Sequence, residues 1–81
     1  MLARNVRVGH DEVDLIIGHA GAVCAVEVKT RAGSDPVEQF TDAQAGRLRR
    51  AAGSLRISRC DLVTVRVDRA GITVRWIPAV C

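Results

Sequence analysis

Val23-Cys-Ala-Val-Glu-Val-Lys-Thr-Arg31 is a strand-length apolar run that takes on two opposite charges, Glu27 and Lys29, two residues apart. Side chains alternate across a strand, so both ions point to one face. The preceding residues supply a partner for them. In Glu12–Ile17 the odd positions Val13, Leu15 and Ile17 are apolar, while Glu12 and Asp14 share the other side with Ile16. Gly18-His19-Ala20-Gly21 between the two runs is turn chemistry, which makes them a hairpin. A turn centred between Ala20 and Gly21 sets Gly18 opposite Val23, Ile16 opposite Ala25, Asp14 opposite Glu27 and Glu12 opposite Lys29. Val13, Leu15, Ile17, Cys24, Val26 and Val28 then share one face and the charges the other. A slip of one residue would move ions into the core, so the pattern selects this register. It also sets two carboxylates about 5 Å apart, where they repel unless a divalent cation or an ammonium such as Lys29 intervenes.

Outward from the hairpin, Leu2–Val8 reads as a first strand, closed by a Gly9-His10-Asp11 turn. Thr30–Gln39 contains Gly33, Ser34, Asp35 and Pro36 and reads as a loop. Thr41 then stands as an N-cap, Gln44 at the capping-box position and Phe40 as a hydrophobic staple. The helix is expected to run to about Ser54, burying Leu48, Ala51, Ala52 and Leu55. Asp61–Val67 alternates, with Leu62, Thr64 and Arg66 against Val63, Val65 and Val67. Asp68-Arg69-Ala70-Gly71 turns the chain into a last strand, Ile72–Ile77, ended by Pro78. The order is β-β-β-α-β-β, an α/β fold with a mixed sheet and one main helix, read as a single unit over residues 1–81.

The chain has 81 residues, 48% hydrophobic and 26% charged, which is a globular composition rather than a disordered one. No apolar run approaches the ~18 residues of a membrane span. Phe40 and Trp76 are the only aromatics, too few for a base-stacking platform. Cys24, Cys60 and Cys81 fit neither a disulfide framework nor a zinc knuckle and read as reduced thiols of a cytoplasmic protein. The net charge of +3 is compatible with a polyanionic partner.

The chemistry-bearing constellation is Asp14, Glu27 and Lys29. Two carboxylates on neighbouring strands, with a carbonyl such as that of Val28, can supply part of the oxygen shell of Mg²⁺, whose remaining positions go to water and phosphate oxygens. Lys29 could orient the attacking water or stabilise charge on pentavalent phosphorus. The alternative reading is a salt-bridge ladder on a solvated sheet face. Arg31, Arg47, Arg49 and Arg50, with Arg56 and Arg59 beyond, suit bidentate phosphate contacts, or else form a solvated helix face. His10 lies near the acids and could relay a proton or bind metal; like His19, it also reads as a turn histidine without a role.

Leu2-Ala3-Arg4-Asn5, then Glu12-Val13-Asp14-Leu15-Ile16, then Val26-Glu27-Val28-Lys29-Thr30-Arg31, resemble the YraN-type family of predicted endonucleases. That family lies in the PD-(D/E)xK restriction-endonuclease-like group and is related in design to Holliday-junction resolvases. A Thr-initiated, Arg-rich helix and an Asp-hydrophobic-hydrophobic strand follow in the same order, here Thr41–Ala52 and Asp61-Leu62-Val63. The resemblance implies that Asp14, Glu27 and Lys29 are the nuclease motif, with Glu12 an accessory acid. It further implies hydrolysis of DNA, branched or damaged, with Mg²⁺ or Mn²⁺ and without a small-molecule cofactor. Family members carry a helix before the first strand that has no counterpart here, their glycine before Glu-x-Asp is Asp11, and their early helical lysine is Gln44. An uncovered sheet face and a homodimer are therefore expected. A non-catalytic nucleic-acid-binding or assembly module on the same fold is the competing expectation.

Overall fold

Two turns with left-handed backbone decide the hairpins. Ala20 and Gly21 both have positive φ, +50° and +78°, the requirement of a two-residue type I′ turn, and His19 pairs with Ala22 across it. Gly9, at φ +61°, opens the corresponding turn between Val8 and Asp11. The computed structural model describes residues 1–81 apart from the side chain of His19, so the expectation for that side chain lies outside the described residues.

The strands are β1 (Ala3–Val8), β2 (Asp11–His19), β3 (Ala22–Ala32), β4 (Arg59–Asp68) and β5 (Gly71–Ile77), with α1 (Asp42–Ser54) between β3 and β4. They form one sheet in the order β1-β2-β3-β4-β5, antiparallel throughout except for the parallel pair β3–β4 that the helix connects. This is the expected α/β arrangement, a mixed sheet with one main helix, consistent with a restriction-endonuclease-like fold. Strands β2 to β5 each run one or two residues beyond an expected end, β4 for instance beginning at Arg59 rather than Asp61. β3 continues to Ala32, and Pro36–Gln39 forms a short 3-10 turn capped by the Asp35 carboxylate on the Val37 amide at 3.0 Å.

The helix begins as its capping signals require. Thr41 Oγ1 accepts from the Gln44 amide at 3.2 Å and the Gln44 side chain accepts from the Thr41 amide at 3.3 Å. Leu48, Ala51 and Ala52 are buried, and Phe40 and Leu55 pack against the same core. The small side chains Ala51 and Ala52 meet Ala25 and Cys60 of the sheet, together with Val13, in one cluster. Small residues on both surfaces let helix and sheet approach closely. No helix among the described residues is long and apolar enough to cross a membrane.

The expected face of Val13, Leu15 and Ile17 is corrected here. Val13 lies under the helix in the cluster that Ile16 also touches, although perfect alternation puts residues three apart on opposite faces. The alternation reverses at Asp14. The β1–β2 register runs Ala3–Ile16, Arg4–Leu15, Val6–Val13, and so skips Asn5 and Asp14; Asn5 has a left-handed φ of +52°. On the other side, the β2–β3 ladder stops at Leu15–Val26. The expected pairing of Asp14 with Glu27 is therefore not a rung of the ladder, nor is that of Glu12 with Lys29. The helix also covers the sheet face that bears Glu27 and Lys29, while the apolar residues alternating with them, Cys24, Val26, Val63 and Val65, face away from it.

Candidate active site

The break at Asp14 makes the site. Where the ladder ends, the Val28 amide donates to Asp14 Oδ2 at 2.9 Å, so a side chain takes a main-chain donor of β3. Freed from strict pairing, Asp14 comes within hydrogen-bonding reach of Glu27. Burial first, then that hydrogen bond and the Asp14 charge, push the Glu27 carboxyl from its ordinary 4.5 up to about 7, against the opposing charges of Lys29 and Arg47. Lys29 Nζ stands 4.0 Å from Glu27 Oε1, with both side chains about one-fifth exposed.

Beside these groups is a pocket of about 240 Å³ at the junction of β2, β3 and α1. Asp11, Glu12, Glu27 and Lys29 line it from the sheet, Gln44, Arg47 and Leu48 from the helix, and His10 from the β1–β2 turn. Glu12, the expected accessory acid, is exposed at its edge. Gln44 was legible as a capping residue and as the counterpart of the family's early helical lysine, and its amide can serve one of two ends. As oriented it closes the capping box; reversed, its oxygen accepts from Lys29 Nζ at 3.3 Å and its nitrogen donates to the Gln39 carbonyl at 2.6 Å. The position that carries lysine in the resembled family thus carries a neutral amide beside Lys29.

The expected basic group is divided by the fold. Arg47 lines the pocket, and Arg31, four residues beyond Glu27, is exposed on the same face of β3. Arg50 forms a fork with Asp11, Nε to Oδ2 and Nη2 to Oδ1, both at 3.1 Å. Arg49 is turned about 200° around the helix from Arg47, toward Cys60, whose thiol feels its charge. Arg59 is committed elsewhere, donating to Asp61 at 3.0 and 3.2 Å.

That second acid was legible only as the start of a strand. Asp61 is fully buried on the sheet face away from α1 and accepts also from Trp76 Nε1 at 2.7 Å and from the Ala79 amide at 2.9 Å. Burial alone would raise its carboxyl. The Arg59 contacts, the Ala79 amide and the indole outweigh it and hold the group below the ordinary carboxylate range. The available signal is Arg-x-Asp at the head of an apolar strand, which puts both charges on one face.

A family model described as "Uncharacterised protein family UPF0102" matches residues 1–68. A UPF0102 protein of Clavibacter michiganensis subsp. michiganensis is 48% identical over 76 residues, covering 89% of this chain and 64% of its own length. One from Oleidesulfovibrio alaskensis is 48% identical over 79 residues, covering 84% of this chain and 39% of its own. One from Solibacter usitatus is 36% identical over 86 residues, covering 99% and 65%. The chain therefore spans less than two thirds of the length of these relatives.

Proposed function

The chain belongs to the UPF0102 (YraN) family, and we propose that it carries a Mg²⁺- or Mn²⁺-dependent endonuclease-type site that hydrolyses phosphodiester bonds in DNA. The observation that carries this reading is the Asp14–Glu27 pair. Asp14 and Glu27 are half-buried and close enough for the Asp14 charge to raise the Glu27 carboxyl, beside a pocket that Glu27 lines together with Lys29 and Arg47, an arrangement that favours a cation at the pair.

The donor set fits Mg²⁺. That ion is held by one or two carboxylates and keeps its other positions for water and phosphate oxygens. Among the described residues no three acids, histidines or cysteines cluster tightly enough to cage a metal without such help. Asp14, Glu27 and the Val28 carbonyl would hold the ion, with Glu12 as accessory acid. When bound, it supplies Lewis-acid stabilisation of the phosphate and a more acidic water.

The protein groups do the remaining work. Lys29 orients the attacking water or stabilises charge on the pentavalent phosphorus, and Gln44 positions Lys29 through its amide oxygen. Arg47 and Arg31 contact flanking phosphates, where a planar guanidinium binds in bidentate fashion. Loss of the Glu27 proton above pH 7 readies the pair for a cation.

The test is incubation of the chain with labelled four-way-junction and linear DNA at pH 8 in Mg²⁺ or Mn²⁺. Cleavage that disappears in Glu27→Ala and Lys29→Ala is expected; cleavage that survives Glu27→Ala overturns the assignment. The two-acid donor set favours one rival, a binding module without chemistry. It predicts salt-sensitive DNA retention that is indifferent to metal, and no cleavage.

A further inference from the structure

The two edges of the sheet are built differently. β1 carries Arg4 and Arg7 and is broken by the left-handed Asn5, features that discourage pairing with another strand. β5, Gly-Ile-Thr-Val-Arg-Trp-Ile, has no proline and a single charge, Arg75, which is held by Asp35 at 2.9 Å. Ile72 and Val74 are 69% and 63% exposed, on the face away from α1, where they extend the apolar row of Val65 and Val67.

The two-residue loop between the paired Asp68 and Gly71 fixes which backbone groups face outward. It makes Asp68–Gly71, Arg66–Thr73 and Thr64–Arg75 the hydrogen-bonded pairs of this hairpin, so Ile72 and Val74 direct their N–H and C=O away from β4.

We propose that β5 is a self-complementary edge that pairs antiparallel with β5 of a second copy, centred on Val74, to make a continuous ten-stranded sheet. This register brings outward-facing groups together, Val74 to Val74 and Ile72 to Trp76 of the second copy. It sets Arg75 opposite Thr73 of the second copy, so no like charges meet. A shift of two residues toward the C-terminus puts Arg75 opposite Arg75, and Pro78, which has no N–H, opposite Ile72. A shift of one residue faces outward groups with inward ones. The Val74-centred alignment pairs the whole of Gly71–Ile77, whereas a shift of two residues toward the N-terminus pairs only residues 71–75, so pairing length, charge and hydrogen bonding together select one alignment and one occupant.

The dyad of such a pair stands perpendicular to the sheet, so both copies of α1 lie on the same side. Five strand spacings across, and about three residues along β3 from the level of the dyad in each copy, put the two Glu27 residues about 30 Å apart on one face. If the nuclease reading holds, on which this consequence rests, two sites meet one duplex about a helical turn apart, a turn being ~34 Å.

The pairing is tested without reference to activity. In a Cys81→Ser chain, Val74→Cys and Ile72→Cys are each oxidised with copper phenanthroline and weighed. Position 74 is expected to convert most of the chain to a disulfide-linked species of twice the 8.7 kDa chain mass, because the paired Cα atoms lie about 5.5 Å apart. Position 72, about 13 Å from its own copy, is expected to give at least tenfold less. In sedimentation, Val74→Lys sets two lysines face to face and is expected to raise the dimer dissociation constant at least tenfold. Equal cross-linking at 72 and 74, or a monomer at every concentration, overturns the proposal. A dimer linked through position 74 that cleaves no DNA leaves the pairing standing and removes the nuclease reading alone.

Discussion

The sheet holds two acidic centres, and they solve the problem of a buried carboxylate in opposite ways. Asp61 is surrounded by donors: two guanidinium nitrogens of Arg59, the Trp76 indole and the Ala79 amide. Glu27 faces another acid, with Lys29 at 4.0 Å and Arg47 acting only through its charge. The first centre is complete and its carboxyl is held low; in the second, burial and the neighbouring Asp14 outweigh Lys29 and Arg47 and push the carboxyl up to about 7. A complete centre holds the fold together, whereas an incomplete one has room for a ligand.

Asp61→Ala attacks the complete centre and should have the largest effect on stability. Breaking a buried, hydrogen-bonded ion pair from one side costs about 3–5 kcal/mol. The Arg59 side chain is 37% exposed and can turn to water, so the lower end is expected. The indole and the Ala79 amide lose their acceptor in the same step. Urea denaturation should show the midpoint fall by an amount equivalent to about 3 kcal/mol at unchanged slope. A loss below about 1 kcal/mol would mean that the four donors find water as readily as they find Asp61.

Opposite pH dependences come next. Asp61, with a lowered folded value, contributes stability that is present above its unfolded value and lost as acid titrates it in the folded state. Glu27 has the reverse sign. Its folded value is raised from 4.5 to about 7, so its contribution is full below pH 4.5 and is lost as pH rises to 7, up to about 3 kcal/mol. Unfolding measured from pH 5 to pH 8 should show stability falling in the native chain. Glu27→Gln, which keeps the hydrogen bond without the charge, should remove that fall, and Mg²⁺ at pH 8 should reverse it in the native chain only. A fall of the same size in Glu27→Gln would place its origin outside this pair.

The contrast also explains what could be read from residues alone. The hairpin register from Gly18–Val23 to Ile16–Ala25, the Thr41–Gln44 box and the helix interior Leu48, Ala51 and Ala52 are local features, set by residues a few positions apart. The reversal at Asp14 is not local. It depends on Asn5, nine residues earlier on another strand, adopting a conformation that asparagine tolerates but does not announce. Strict alternation was therefore right as far as Leu15 and wrong at Val13. Asp61 escaped notice for a similar reason: Arg59 is two residues away, but Trp76 and Ala79 arrive from 15 and 18 residues further along. Asp14, Glu27 and Lys29 could be grouped from the sequence because Glu-x-Asp and Glu-x-Lys are local patterns on adjacent strands, although the rung expected between Asp14 and Glu27 is absent from the ladder.

The smallest effect concerns how each centre uses arginine. Arg59 is engaged by Asp61 through Nε and Nη2, with contacts at 3.0 and 3.2 Å. Arg47 makes no ion pair among the described residues and lines the pocket with its guanidinium available. Arg47→Ala is therefore expected to reduce the slope of log affinity for DNA against log salt by about one, the signature of a single lost phosphate contact. Arg49→Ala, on the far side of the helix, should leave the slope unchanged. Arg47 also lowers the Glu27 carboxyl, so its removal should move the pH of Glu27 titration further upward, read as a later midpoint of the stability loss. If Arg47→Ala changes the titration but not the salt slope, Arg47 serves the acid pair rather than the nucleic acid, and the two centres differ in the strength of their arginine contact but not in its purpose.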